Sequence, residues 1–327
     1  MIQKTFTLPL FAFARTRCRT ATQTTLILMF TALPLFAAAA EDVVVTIKPL
    51  HSLVQGVMGD TAKAGLLLGG NTSPHVPSLK PSQIKMLHDA KLVFYIDDSF
   101  ELFLPKIFAT LPPQLRKIPV TRADLTLLEK RQGGAWEAHA RHHNGHDHHG
   151  HHDRQDHDAS DMHLWLDADN ANKVVALIVT QLAADYPQHR DTYQRNARAL
   201  TERIDALDAK LKTRLAAIKN KPFIVFHDAY QYFERRYGLN GVGAVTLEPG
   251  DALSINRLKQ LGEKIKATGA VCAFKEPQFP AGMEVLAREN DIKIAMLDPI
   301  GADLTPGPGL YFSLLENLAS ELLHCLN

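Results

Sequence analysis

The chain has 327 residues, with 36 Lys and Arg against 35 Asp and Glu, for a formal net charge of +1. So even a balance offers no electrostatic footprint for a nucleic-acid partner. Hydrophobic residues make up 46% and charged ones 22%, which excludes a disordered tail or a fibrous repeat and supplies a sizeable core.

Residues 1–40 read as an export signal. Lys4, Arg15, Arg17 and Arg19 form a basic head, residues 26–36 an apolar run, and Ala37 to Ala40 a small-residue stretch that places cleavage within 37–41. The run is shorter than the roughly 20 apolar residues of a membrane span, and Pro34 interrupts it. Losing those four basic residues takes the charge from +1 to −3. The mature chain is expected to be soluble and periplasmic. Cys18 leaves with the signal, and the remaining pair, Cys272 and Cys325, reads as a disulfide in an oxidising compartment, with two buried thiols as the alternative.

In chain order, residues 43–47 are rich in β-branched side chains and read as a buried strand, followed by a helix over 51–58. A second strand covers 64–68, a helix opens at Pro81, and a third strand covers 92–96. Strands and helices alternating at this rhythm predict a parallel sheet with crossover helices. The segment 132–161 breaks the pattern: it is rich in Gly, His and Asp, has almost no aliphatic residues, and reads as a mobile insertion. Apolar residues at three- and four-residue steps predict helices after Trp165, the second running over 187–220. A second series follows, with strands at 223–226, 243–246, 270–274 and 292–297 and a closing helix over 311–326. The fold class is therefore α/β with two lobes, each a mostly parallel sheet flanked by helices, joined by a long rigid helix. The expected divisions are an N-terminal metal-binding lobe over 41–186, the connecting helix over 187–220 and a C-terminal lobe over 221–327.

The chemistry lies in the histidines. In open parallel sheets, ligand groups gather beyond the carboxyl ends of the strands. His75 sits in the loop after the second strand, His227 directly after the strand 223–226, and Asp298 directly after the strand 292–297. His163 stands where the polar insertion returns to apolar chain. Three imidazoles with a carboxylate or water make a tetrahedral zinc set. Each residue also has a blander reading: a solvated loop histidine for His75, a partly buried one for His163, a hydrogen-bonded pair for His227 with Asp228, and a turn cap for Asp298. The insertion adds a secondary metal site. His139, His142, His143, His146, His148, His149, His151, His152 and His157 are nine of the 16 histidines in the chain, a density suited to zinc, copper or nickel without one fixed geometry; the alternative is a solvated linker.

These residues carry a resemblance. Lys48-Pro49-Leu50, Ser73-Pro74-His75, Ser78-Leu79-Lys80-Pro81-Ser82, Met162-His163-Leu164-Trp165-Leu166, Val225-Phe226-His227-Asp228-Ala229-Tyr230, Lys275-Glu276-Pro277-Gln278 and Leu297-Asp298-Pro299 resemble, in order, the periplasmic zinc-binding receptors of the high-affinity zinc ABC importer. The resemblance implies two lobes joined by a rigid helix, Zn(II) as the transported ligand in the cleft, and His75, His163 and His227 as ligands. It makes Asp298, a water or a nearby carboxylate the fourth ligand, pairs Cys272 with Cys325, and implies an inner-membrane ABC permease as partner of a monomeric receptor that is not an enzyme. Some members carry a glutamate where this chain has Pro74. Manganese- and iron-binding relatives usually have a carboxylate at the position of His227, so an imidazole there points to zinc. Glu276 and His51 are read as supporting or surface residues, and neither as a ligand. The competing classes are a manganese or iron receptor, a secreted zinc hydrolase and a metal buffer built on the insertion; the chain has no His-Glu-x-x-His signature for a hydrolase.

Overall fold

The computed structural model describes residues 42–75, 78–132, 160–247, 255–278 and 283–327. The signal segment and the nine histidines of the insertion lie outside the described residues.

The first half runs β1 (Val43–Val45), α1 (Lys48–Met58), β2 (Gly65–Leu66), α2 (Pro81–Asp89), β3 (Leu92–Tyr95), α3 (Leu104–Phe108) and β4 (Arg116–Pro119). Its four strands are parallel in the order β2-β1-β3-β4. A short antiparallel pair follows, β5 (Leu128–Glu129) with β6 (Ser160–Asp161), in register Leu128 to Asp161 and Glu129 to Ser160. Ser160 and Asp161, which the sequence reading assigns to the insertion, are therefore strand; two-residue strands leave no period to read. Then come α4 (Ala168–Asp185), capped by the Asp167 carboxylate accepting from the Asn170 N–H at 3.0 Å, and α5 (Arg190–Leu215). The expected helix over 187–220 is this 26-residue α-helix flanked by 3-10 turns at Pro187–His189 and Ala216–Ile218. At 1.5 Å per residue α5 is about 39 Å long.

The second half comprises β7 (Pro222–His227), α6 (Gln231–Tyr237), β8 (Asn240–Thr246), α7 (Ile255–Thr268), β9 (Cys272–Lys275), α8 (Met283–Glu289), β10 (Lys293–Met296) and α9 (Leu310–Leu326). Its sheet is parallel with the order β10-β9-β7-β8. Read from the other edge, this is the order of the first sheet. In both, the chain reverses direction across the sheet at the first strand of the half, β1 or β7. Crevices form beyond the carboxyl end of such a strand.

One continuous apolar core joins the first sheet, α1, α4, α5, α9 and one face of the second sheet. A smaller cluster fills the other face, under α7. Successive side chains of a strand alternate between faces. Phe223 and Val225 of β7 therefore enter the main core, Ile224 and Phe226 the smaller one, and His227 continues the parity of Phe223 and Val225. α9 follows the second sheet in sequence yet packs on α1 and α5. A disulfide from Cys272 on β9 to Cys325 on α9 fastens it to the second sheet, with a Cα separation of 6.1 Å. By loop entropy a closure spanning 53 residues contributes about 4 kcal/mol.

Candidate metal centre

His75 comes from the loop after β2, whose backbone continues the sheet through the Leu67 and Leu68 N–H groups bonded to the Val45 and Thr46 carbonyls. His163 follows β6 by two residues and leads into a 3-10 turn at Leu164–Leu166. His227 ends β7. The candidate ligand nitrogens of these three imidazoles all lie within 4.8 Å of one another. The ring centroids are 5.1 Å apart for His163 and His227, 5.4 Å for His75 and His163, and 5.6 Å for His75 and His227.

Two of the rings are aimed by carboxylates. Asp161 Oδ1 accepts from His163 Nδ1 at 2.8 Å and from the His163 backbone N–H at 3.0 Å. Glu276 Oε1 accepts from His227 Nδ1 at 2.7 Å and from the Tyr230 hydroxyl at 3.2 Å. A carboxylate on Nδ1 fixes the tautomer and leaves the Nε2 lone pair for a cation. The two Nε2 atoms are 3.2 Å apart. Two nitrogens each about 2.05 Å from a zinc ion stand about 3.3 Å apart at the tetrahedral angle. The third ring, His75, packs on Phe100 in a T-shaped arrangement with ring centroids 4.7 Å apart. Beside the imidazoles is a void of about 10 Å³ walled by Pro74, Trp165, Pro299 and Ile300. A cavity of about 160 Å³ lined by Ser99, Arg131, Asp161 and Asp228 adjoins His75 and His163.

Burial governs the charges. His75 is pulled down to about 2, first by desolvation and then by the like charges of His163, His227 and Lys130. Desolvation raises Asp161 to about 7 against the His163 N–H and Arg131, and raises Asp228 to about 7 against Arg131. The Arg131 guanidinium bonds Asp228 at 3.1 Å and Glu234 at 2.5 Å, so the root of the insertion is fastened to the second half.

Asp298 is not among the converging groups. Its Oδ1 accepts the N–H groups of Ile300 at 3.1 Å and Gly301 at 3.0 Å, and Oδ2 accepts that of Ala302. It also receives the Gln278 amide at 3.4 Å. His51 is buried on α1 and bonds the Ala64 carbonyl at 3.0 Å. Glu276, which the sequence left open between a supporting and a surface residue, is buried against His227. Asp161 escaped sequence reading, although Asp-x-His is the spacing at which a carboxylate reaches both the backbone and ring of the histidine.

Residues 43–325 match a family described as zinc-uptake complex component A, periplasmic. A high-affinity zinc uptake system protein ZnuA from Brucella suis biovar 1 (strain 1330) is 40% identical over 311 residues, covering 89% of this chain and 93% of that protein. Among solved structures, the crystal structure of a ZnuA superposes with a TM-score of 0.71 at 25% identity, over 88% of this chain and all of that one. The Zn(II)-bound ZnuA-like domain of Streptococcus pneumoniae AdcA does so with a TM-score of 0.65 at 26% identity, over 87% and 98%.

Proposed function

The chain belongs to the periplasmic zinc-uptake component A family, and from that premise we propose that it captures one Zn(II) between His75, His163 and His227 and delivers it to an ABC importer. The observation carrying the ligand assignment is the mutual approach of three imidazoles within 4.8 Å, drawn from segments more than 60 residues apart. Zinc is the cargo. Behind two of the rings stand the buried carboxylates of Asp161 and Glu276; both ionised, they balance the two charges of the ion and leave the loaded site without net charge. That balance suits a neutral water as fourth ligand, while Asp298 stays committed to the amides of its turn. An all-imidazole protein set favours zinc over manganese or iron, which prefer oxygen. The receptor acts as a monomer in the periplasm and hands the ion to an inner-membrane permease. Among the described residues no helix is long and apolar enough to cross a membrane. The histidines at 139–157 serve as a secondary metal-binding segment.

Chelator competition on the full chain tests the assignment. Ala at 75, 163 or 227 is expected to weaken Zn(II) binding at least 100-fold each, since one of only three protein donors is lost. Unchanged affinity in any two of the three defeats it.

A further inference from the structure

Lys48 opens α1 just beyond the carboxyl end of β1. In the first sheet β1 is the counterpart of β7, the strand that His227 ends and where the order reverses. Yet Lys48 faces no ligand. It is 4% exposed, and its ammonium donates to the Gly301 carbonyl at 3.0 Å, the Leu304 carbonyl at 3.2 Å and the Ala302 carbonyl. Three protons meet three acceptors, so the donor valence of the ammonium is filled.

All three acceptors belong to one turn of the second half. The amides of that turn converge on Asp298, and its carbonyls on Lys48. Gly301 takes the left-handed φ of +71° that this double convergence requires. From a third side the Trp165 indole N–H donates to the Pro299 carbonyl at 2.8 Å. Pro299 and Ile300, within the same turn, wall the void beside the three imidazoles.

We infer that Lys48 is a positioning residue for the metal centre: a latch by which the first half grips the turn 298–304 and keeps the wall of the imidazole site closed. The inference rests on the receptor reading and adds a kinetic role to a residue that touches no cargo. On this inference the ion leaves as the wall yields, and the wall is held by Lys48 and Trp165 together. Loosening either grip speeds release while leaving every ligand in place.

Stopped-flow capture of Zn(II) by excess chelator, from the loaded full chain, reads this directly. Lys48→Met retains the length of the side chain and removes its three donors. Loss of charged hydrogen bonds predicts release from the tight site about tenfold faster, with association changed less than about twofold and the tight site still filled by one ion. Trp165→Phe keeps an aromatic ring but removes the N–H, and is expected to quicken release about threefold; it decides the matter if Lys48→Met does not fold. A folded Lys48→Met chain with a lower thermal midpoint but wild-type release overturns the latch and leaves the receptor reading standing. A wild-type chain that binds no Zn(II) defeats the receptor reading itself.

Discussion

At the scale of single residues, the proposed centre is a set of imidazoles with acids hydrogen-bonded behind two of them. Removing such a supporting acceptor commonly costs 10- to 100-fold in metal affinity, and Asp161→Asn is expected to fall in that range by chelator competition, with Asp298→Ala well below it. The acid also sets a pH response. Burial raises Asp161 from 3.8 to about 7, so the metal-free folded chain holds this proton more tightly than the unfolded one. Its contribution to metal-free stability is therefore complete below about 3.8 and lost as pH rises through about 7. A cation on His163 favours the ionised acid, so loading expels the proton. Calorimetry in buffers of different ionisation enthalpy is expected to show release from Asp161 approaching one proton at pH 6 and vanishing by pH 8, and Asp161→Asn removes that component. His75, already held near 2, is neutral throughout this window. The histidines announced themselves in the sequence by standing at strand ends. Asp161 did not, because an aspartate at the edge of a polar insertion looks like one more solvated charge until the backbone curls it under His163.

At the scale of elements, the long-period signals were legible and the short ones were not. β1, β3 and β7 showed as dense β-branched and aromatic runs, and α4, α5 and α9 as three- and four-residue steps. The pair β5 and β6, two residues each, and the five-residue α3 lie below what a period can reveal. Nor does local pattern say that α9, last in the chain, packs on α1 near its start; that contact depends on burying an apolar face 17 residues long wherever the core is open. The disulfide holds the far end of α9. Replacing Cys272 and Cys325 by Ser is expected to lower unfolding stability by about 2–4 kcal/mol, measured by urea denaturation before and after reduction of the parent chain. Deleting residues 133–158 is expected to retain one tight Zn(II) site and to lower total bound metal at high concentration, measured by equilibrium dialysis. A shortened chain without the tight site would favour the metal-buffer reading.

At the scale of the whole molecule, two sheets with one strand order share a continuous core, braced by a 26-residue helix that touches α1, α4 and α9. Hinge motion in such a body has to shear packed side chains, which resist it. Loading with Zn(II) is accordingly expected to change the radius of gyration in solution by less than about 1 Å, as small-angle scattering would measure, and a larger contraction would mean that the halves separate when empty.

The antiparallel pair β5 and β6 has a practical consequence. It brings Glu129 opposite Ser160, a strand spacing of roughly 5 Å, with the second strand ending two residues before His163. A foreign domain whose own termini lie close together, such as a circularly permuted fluorescent protein, can replace residues 133–159 without stretching either strand. Its chromophore would then be wired to a proposed ligand through three residues of backbone, converting this receptor into a genetically encoded zinc reporter.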